Sequence, residues 1–143
     1  MAYFTEQERL QIKQTIEIVE AQTSGEICVC LEKYCDTDPI KRALEYFEKL
    51  NMARTKLRNG VLIYIATLDK VFAIIGDDGI HKIVGQEFWE DAKRIMTENF
   101  KQGLLSNGII KGVEQVGIVL NKHFPRMHDD ENELSDDIII GDA

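Results

Sequence analysis

Residues 61–75 read VLIYIATLDKVFAII. Two strand-like apolar runs, 61–66 and 71–75, are separated only by Thr67, Leu68, Asp69 and Lys70. A connection of four residues is short enough to reverse the chain into an antiparallel hairpin. A third run, ICVCL at 27–31, has the small and β-branched side chains of a strand buried on both faces. Between 27–31 and 61–66 lies a helix signal. Asp38 is placed as N-cap, Pro39 stands at the first helical position, and Ile40, Ala43, Leu44, Phe47 and Leu50 trace an apolar stripe that ends near Arg54. Two strands joined through a helix run parallel with a right-handed crossover. The starts of the first two strands and the end of the third therefore fall at one edge of a mixed sheet.

The flanking sequence supplies the layers. Thr5 and Glu8 have capping-box spacing, and Leu10, Ile12, Ile16 and Val19 recur at helical period, which predicts a helix over 6–21. A further helix is predicted over 86–100, with Phe88, Ala92, Ile95, Met96 and Phe100 inward and Gly103 as its stop. Another covers 107–122, with Ile110, Val113, Val116, Val119 and Leu120 apolar. Gly108, Gly112 and Gly117 recur on this helix, each costing up to ~1 kcal/mol relative to Ala, so a close approach of helix to sheet is expected there. The order α, β, α, β, β, α, α predicts a three-layer α/β/α sandwich around a mixed central sheet of short strands.

A chain of 143 residues is the size of one domain. That domain is expected to span 1–125, with an acidic tail at 126–143 that frays. Residues 129–143 carry seven carboxylates and no Lys or Arg, leaving 18 of the 25 acids against all 17 bases in the body. With a near-neutral body and an acidic tail, nucleic acid is excluded as the main partner, since its binders need a basic surface. The N-terminus lacks an apolar signal core, and the longest apolar stretch, 60–68, is too short to span a bilayer. Three cysteines, two of them at Cys28 and Cys30 within one strand, do not form a disulfide framework. A soluble, cytoplasmic protein is expected.

The edge shared by the three strands gathers 23–26, 58–60 and 76–79. It carries the carboxylates of Glu26, Asp77 and Asp78 beside Ser24, Arg58 and Asn59. Oxygen donors of this kind suit a hard divalent cation, Ca or Mg. The same residues also read as a Gly-Asp-Asp-Gly turn with Arg58 as its ion-pair partner. The spacing is not that of an EF-hand, so any site must be assembled from separate loops. At the other edge, 35–39 leads into a helix, and Asp36 and Asp38 are the second candidates for a cation. A phosphate loop of the Cys-x5-Arg type fails there, because the sixth residue after Cys35 is Lys41. His81, His123 and His128 have no metal-ligand spacing, and no P-loop, dinucleotide fingerprint, nucleophile elbow or HExxH motif occurs.

Taken as a set, TSGEI at 23–27, RNGVLIYIA at 58–66, FAIIGDDGI at 72–80, the Phe88-Trp89 pair, F-x-x-G at 100–103, the glycine-punctuated last helix and HFP at 123–125 resemble the TPM domain family over roughly 5–125. The resemblance implies an α/β/α sandwich, binding of a divalent cation usually discussed as calcium, and phosphatase activity in some members. The positions matching family motifs are Ser24, Gly25 and Glu26, then Arg58, Asn59 and Gly60, then Gly76, Asp77 and Gly79. The expected function is a cation-binding interaction or regulatory module with a protein partner. The alternative is a metal-assisted phosphatase acting on phosphomonoesters.

Overall fold

The computed structural model describes residues 4–126 and 138–141. The elements are α1 (Glu6–Glu20), β1 (Glu26–Glu32), α2 (Pro39–Lys49), a 3₁₀ turn (Met52–Arg54), β2 (Gly60–Ala66), β3 (Val71–Gly76), α3 (Asp78–Lys101), α4 (Leu105–His123) and β4 (Ile139–Ile140). The sheet order is β3-β2-β1-β4. β1 runs parallel to β2, with Glu26 opposite Gly60 and Glu32 opposite Ala66. β3 returns antiparallel, with Gly76 opposite Val61. The crossover and the hairpin expected from the sequence are both present, and the fold is an α/β/α sandwich.

Period-two alternation sorts each strand between two cores. Ile27, Val29, Leu31, Val61, Ile63, Ile65 and Ile74 pack with residues of α1, α3 and α4. On the reverse face Cys28, Cys30, Leu62, Tyr64 and Ala73 pack with Ala43 and Tyr46 of α2. β1 and β2 are buried along their whole length, which is why they read as continuous apolar runs rather than alternating ones.

Several expectations are corrected. α2 stops at Lys49 rather than near Arg54, because Asn51 adopts a left-handed φ of 53° and the chain continues as a 3₁₀ turn. Its inward side is also rotated. Ala43 and Tyr46 are buried, whereas Ile40 and Leu44 are about half exposed, a rotation that brings the Tyr46 hydroxyl to Glu32. α3 begins at Asp78 rather than 86, N-capped by Asp77, and bends at Gly85, whose φ of 73° is non-helical. α4 begins at Leu105 rather than 107. Within the expected tail, 126–143, the stretch 127–137 lies outside the described residues, but Ile139 and Ile140 pair in parallel with Cys30 and Leu31. Ile138 is buried in the larger core, and the Gly141 amide donates to the Leu31 carbonyl at 2.7 Å.

The α4 glycines serve helix–helix contact rather than helix–sheet contact. A Cβ at Gly108 would lie 2.3 Å from the Phe100 ring, one at Gly112 would lie 2.6 Å from the Met96 sulfur, and one at Gly117 would lie 2.7 Å from Val19. The first two partners belong to α3 and the third to α1. A methyl at Gly112 meets a flexible thioether that can move, so the gain in helix propensity should leave Gly112→Ala within about 1 kcal/mol of the parent. At Gly108 the obstacle is a ring already stacked edge-to-face on Phe72, so Gly108→Ala should cost about 1–3 kcal/mol by overpacking. Urea unfolding of the two variants checks this order, and a costlier Gly112→Ala would contradict it.

Candidate functional site

The edge gathered by the crossover is assembled by hydrogen bonds between its three segments. Thr55, itself buried, starts the construction: its carbonyl accepts from the Arg58 amide at 3.2 Å and its hydroxyl from the Asn59 amide at 3.3 Å. Arg58 has a left-handed φ of 52°. Asn59, 1% exposed, donates from Nδ2 to Ser24 Oγ at 3.1 Å and so ties the start of β2 to the start of β1. Thr23 fixes the same loop from behind, its hydroxyl donating to the Leu120 carbonyl at 3.1 Å and to the Phe124 carbonyl.

Asp77 is the junction of the edge. Its amide donates to the Gly60 carbonyl at 2.9 Å, continuing the β2–β3 ladder. Its Oδ1 accepts from the Asp78 amide at 2.8 Å, which caps α3. Arg58 closes the carboxylate in bidentate fashion, Nε to Oδ2 at 2.6 Å and Nη2 to Oδ1 at 2.7 Å. The hydrogen bond and charge of Asp77 raise the pKa of Arg58 above its ordinary value. Asp78 stands outside, exposed, with Oδ2 3.8 Å from Arg58 Nη2. The approach of α3 to this loop requires Gly79, where a Cβ would lie 1.9 Å from the Leu57 carbonyl oxygen.

Ser24, Arg58, Asn59, Asp77 and Asp78 are thus tied together by these contacts. Glu26 opens β1 opposite Gly60 on the Cys28 side of the sheet, where it is buried, and Ile75 of β3 faces the same side. Among the described residues no three His, Cys, Asp or Glu side chains converge closely enough to hold a metal ion. Asp77, Asp78 and Ser24 offer oxygen donors of the kind a hard cation takes, but the Arg58 guanidinium already supplies the positive charge at Asp77.

The second candidate loop is built for another purpose. Asp38 is the N-cap of α2, its Oδ1 accepting from the Ile40 amide at 2.8 Å. Asp36 is exposed and, with Glu32, Lys41, Arg42 and Glu45, lines a cleft of about 480 Å³. At its base lies the ionised centre that sequence reasoning missed. Glu32 is 1% exposed and accepts hydrogen bonds from Arg42 Nε at 3.0 Å, Arg42 Nη2, Tyr46 at 2.6 Å and Tyr64 at 2.7 Å. Burial opposes its charge. The hydrogen bonds of Arg42, Tyr46 and Tyr64, with the charge of Arg42, outweigh that burial and lower its pKa to about 2. Tyr46 and Tyr64 are pushed up, first by burial and then by hydrogen bonds, to Glu32 at Tyr46 and to Cys35 and Glu32 at Tyr64. Arg42 also lies 4.7 Å from the Tyr46 ring centroid. The only trace of this centre in the sequence is a carboxylate closing a buried apolar run, a position that needs partners.

With this arrangement in view, comparison with known proteins places the chain in a family. It belongs to the TPM domain family, whose model matches residues 1–119. It is similar to the BA42 protein of the psychrophilic bacterium Bizionia argentinensis, known from an NMR structure: 42% identity, TM-score 0.91, 98% of this chain and 97% of that one covered. The N-terminal domain of the cg2496 protein of Corynebacterium glutamicum shares the fold at 14% identity, TM-score 0.68, with 91% of this chain and 85% of that one covered. No curated protein matches the chain.

The Glu32 centre sets an acid dependence. Its folded pKa of about 2 lies below the ordinary 4.5, so its stabilisation is complete above pH 4.5 and is lost as pH falls towards 2. The shift corresponds to a contribution on the order of 3 kcal/mol at neutral pH. Glu32→Gln should be less stable at pH 7 and should lose less stability than the parent on going from pH 4.5 to 2, as measured by urea midpoints. Equal acid slopes in the two proteins would contradict this assignment.

Proposed function

We propose that the chain is a TPM-domain interaction module that takes a divalent cation, Ca or Mg, weakly at Asp77 and Asp78 in exchange for the Arg58 guanidinium. The observation that carries the reading is the convergence of Ser24, Arg58, Asn59, Asp77 and Asp78 from three separate segments onto one sheet edge, tied by the Asn59–Ser24 and Arg58–Asp77 bonds. Arg58 is a fitting exchange partner: its side chain is 46% exposed while that of Asp77 is 4% exposed, so the guanidinium can swing into water while the carboxylate stays. Asp78 adds a second, exposed carboxylate. A cation held there would order the 57–60 loop against the start of α3 and shape that edge for a protein partner.

A module is favoured over a phosphatase because catalysis needs a nucleophile paired with a base. The Ser24 hydroxyl is bonded to the Asn59 amide and, among the described residues, to no His, Asp or Glu side chain. Three free thiols, Cys28, Cys30 and Cys35, fit work in a reducing compartment such as the cytoplasm. Among the described residues no helix is long and apolar enough to cross a membrane.

A calcium or magnesium titration followed by amide chemical shifts tests the reading. Saturable shifts are expected at 24, 58–60 and 76–80, with a dissociation constant on the order of 10⁻⁴ to 10⁻³ M for so few ligands. Removing the competing charge in Arg58→Gln should tighten binding by about threefold to tenfold, and Asp78→Asn should weaken it. Shifts confined to 35–39 would contradict the assignment. Cation-dependent turnover of p-nitrophenyl phosphate that collapses in Asp77→Asn would make the protein a metal-assisted phosphatase instead.

A further inference from the structure

Beyond the C-terminal end of β2, at the opposite end of the sheet from Arg58 and Asp77, a cleft of about 620 Å³ opens between the β2–β3 hairpin and the α3–α4 turn. Its floor is apolar, formed by Ile65, Val71, Phe72 and Phe100. Phe72 and Phe100 meet edge-to-face with centroids 5.1 Å apart, and both are only partly buried. The ionisable side chains on its walls are two lysines, Lys70 and Lys101. Neither is engaged in an ion pair among the described residues. The neighbouring acid, Asp69, is turned elsewhere, its carboxylate accepting from the Cys35 amide at 2.7 Å.

α4 starts at Leu105, on the wall of the cleft, with no side-chain hydrogen bond from its N-cap residue Leu104, and the Glu8 carboxylate accepts from Ser106 of its first turn at 2.9 Å. The first-turn amides of a helix without a side-chain cap carry the positive end of its dipole. The opposing carbonyl end of α3 is folded back into its own turn, where Asn99 O accepts from the Gln102 and Leu104 amides and Phe100 O from the Gly103 amide. An apolar floor with cationic walls selects a ligand that is apolar at one end and negative at the other. The volume is that of a small-molecule site, about 300–1,000 Å³.

We infer that this cleft binds a small amphipathic carboxylate, an aromatic or medium-chain alkyl acid, with its apolar body on the Phe72–Phe100 floor and its carboxylate at Lys70 and Lys101. The site is separate from the polar edge and stands or falls independently of the cation reading.

Titrating the full-length ¹⁵N-labelled chain with 4-phenylbutyrate, and in parallel with its uncharged amide and with 4-phenylbutylammonium, tests it. Saturable shifts are expected at 65–72 and 97–105, with the carboxylate bound about tenfold more tightly than the amide through its charge-assisted contacts. The double variant Lys70→Gln, Lys101→Gln should abolish that preference while leaving amide binding and the melting temperature unchanged, since both lysines are exposed. No saturable shift at millimolar probe, equal binding of all three probes, shifts mapping to 58–60 and 77–80, or a preference that survives the double variant would each overturn the inference.

Discussion

The rest of the candidate edge hangs on Asp77. One residue ends the β2–β3 ladder through its amide, caps α3 through Oδ1 and holds Arg58 through both oxygens. Each of these bonds satisfies a group that would otherwise be left open: a strand-end amide and carbonyl, an orphan amide of a helix N-terminus, and a carboxylate 6% exposed. Because the cap and the ion pair use the same carboxylate, the start of α3 cannot shift without disturbing the 58–60 loop. That loop in turn fixes Asn59 on Ser24. The three segments therefore behave as one junction.

The sheet carries a second charged anchor at its other end, and the two differ in kind. Glu32 is buried with donors on both oxygens and a lowered pKa. Such a network is costly to break and locks α2 to β1 and β2 through Arg42, Tyr46 and Tyr64. Gly141 reaches the same place, where a Cβ would lie 2.2 Å from the Tyr46 hydroxyl and 2.8 Å from Glu32 Cγ. The C-terminal strand thus helps enclose Glu32. Asp77, in contrast, pairs with an arginine that is half in water, so solvent screens the bond and its partner can be replaced. One anchor is closed off from solvent and the other is open to it.

Much of the architecture was legible because β1 and β2 are buried on both faces, leaving apolar runs that periodicity can find. The four-residue gap between 66 and 71 left no alternative to a hairpin. Together these place Ser24, Arg58, Asn59 and Asp77 at one edge from the sequence alone. What escaped was contact that depends on side-chain direction. Glu26 is grouped with Asp77 by strand position, but its burial at the start of β1 is not visible in that grouping. Asp77 and Asp78 read as a turn because the cap of α3 and the bend at Gly85 separate the helix start from its periodic stretch. Glu32 was invisible because its partners, Arg42, Tyr46 and Tyr64, come from two other elements. The α4 glycines signalled close packing correctly, but nothing in their spacing said that helices rather than the sheet would fill the space. The strand at 139–140 was hidden by the acidic composition around it.

The central claim is that Arg58 occupies the Asp77 carboxylate until a cation displaces it. The most direct measurement is the Arg58 Nε–H resonance itself, followed during a calcium titration alongside the Asp77 and Asp78 amides. In the cation-free protein this proton, held 2.6 Å donor-to-acceptor on Asp77 Oδ2, should be observable and slow to exchange with water. It should lose that protection in step with the amide shifts as calcium is added. Saturation of the amide shifts while the Arg58 Nε–H stays protected would contradict the exchange.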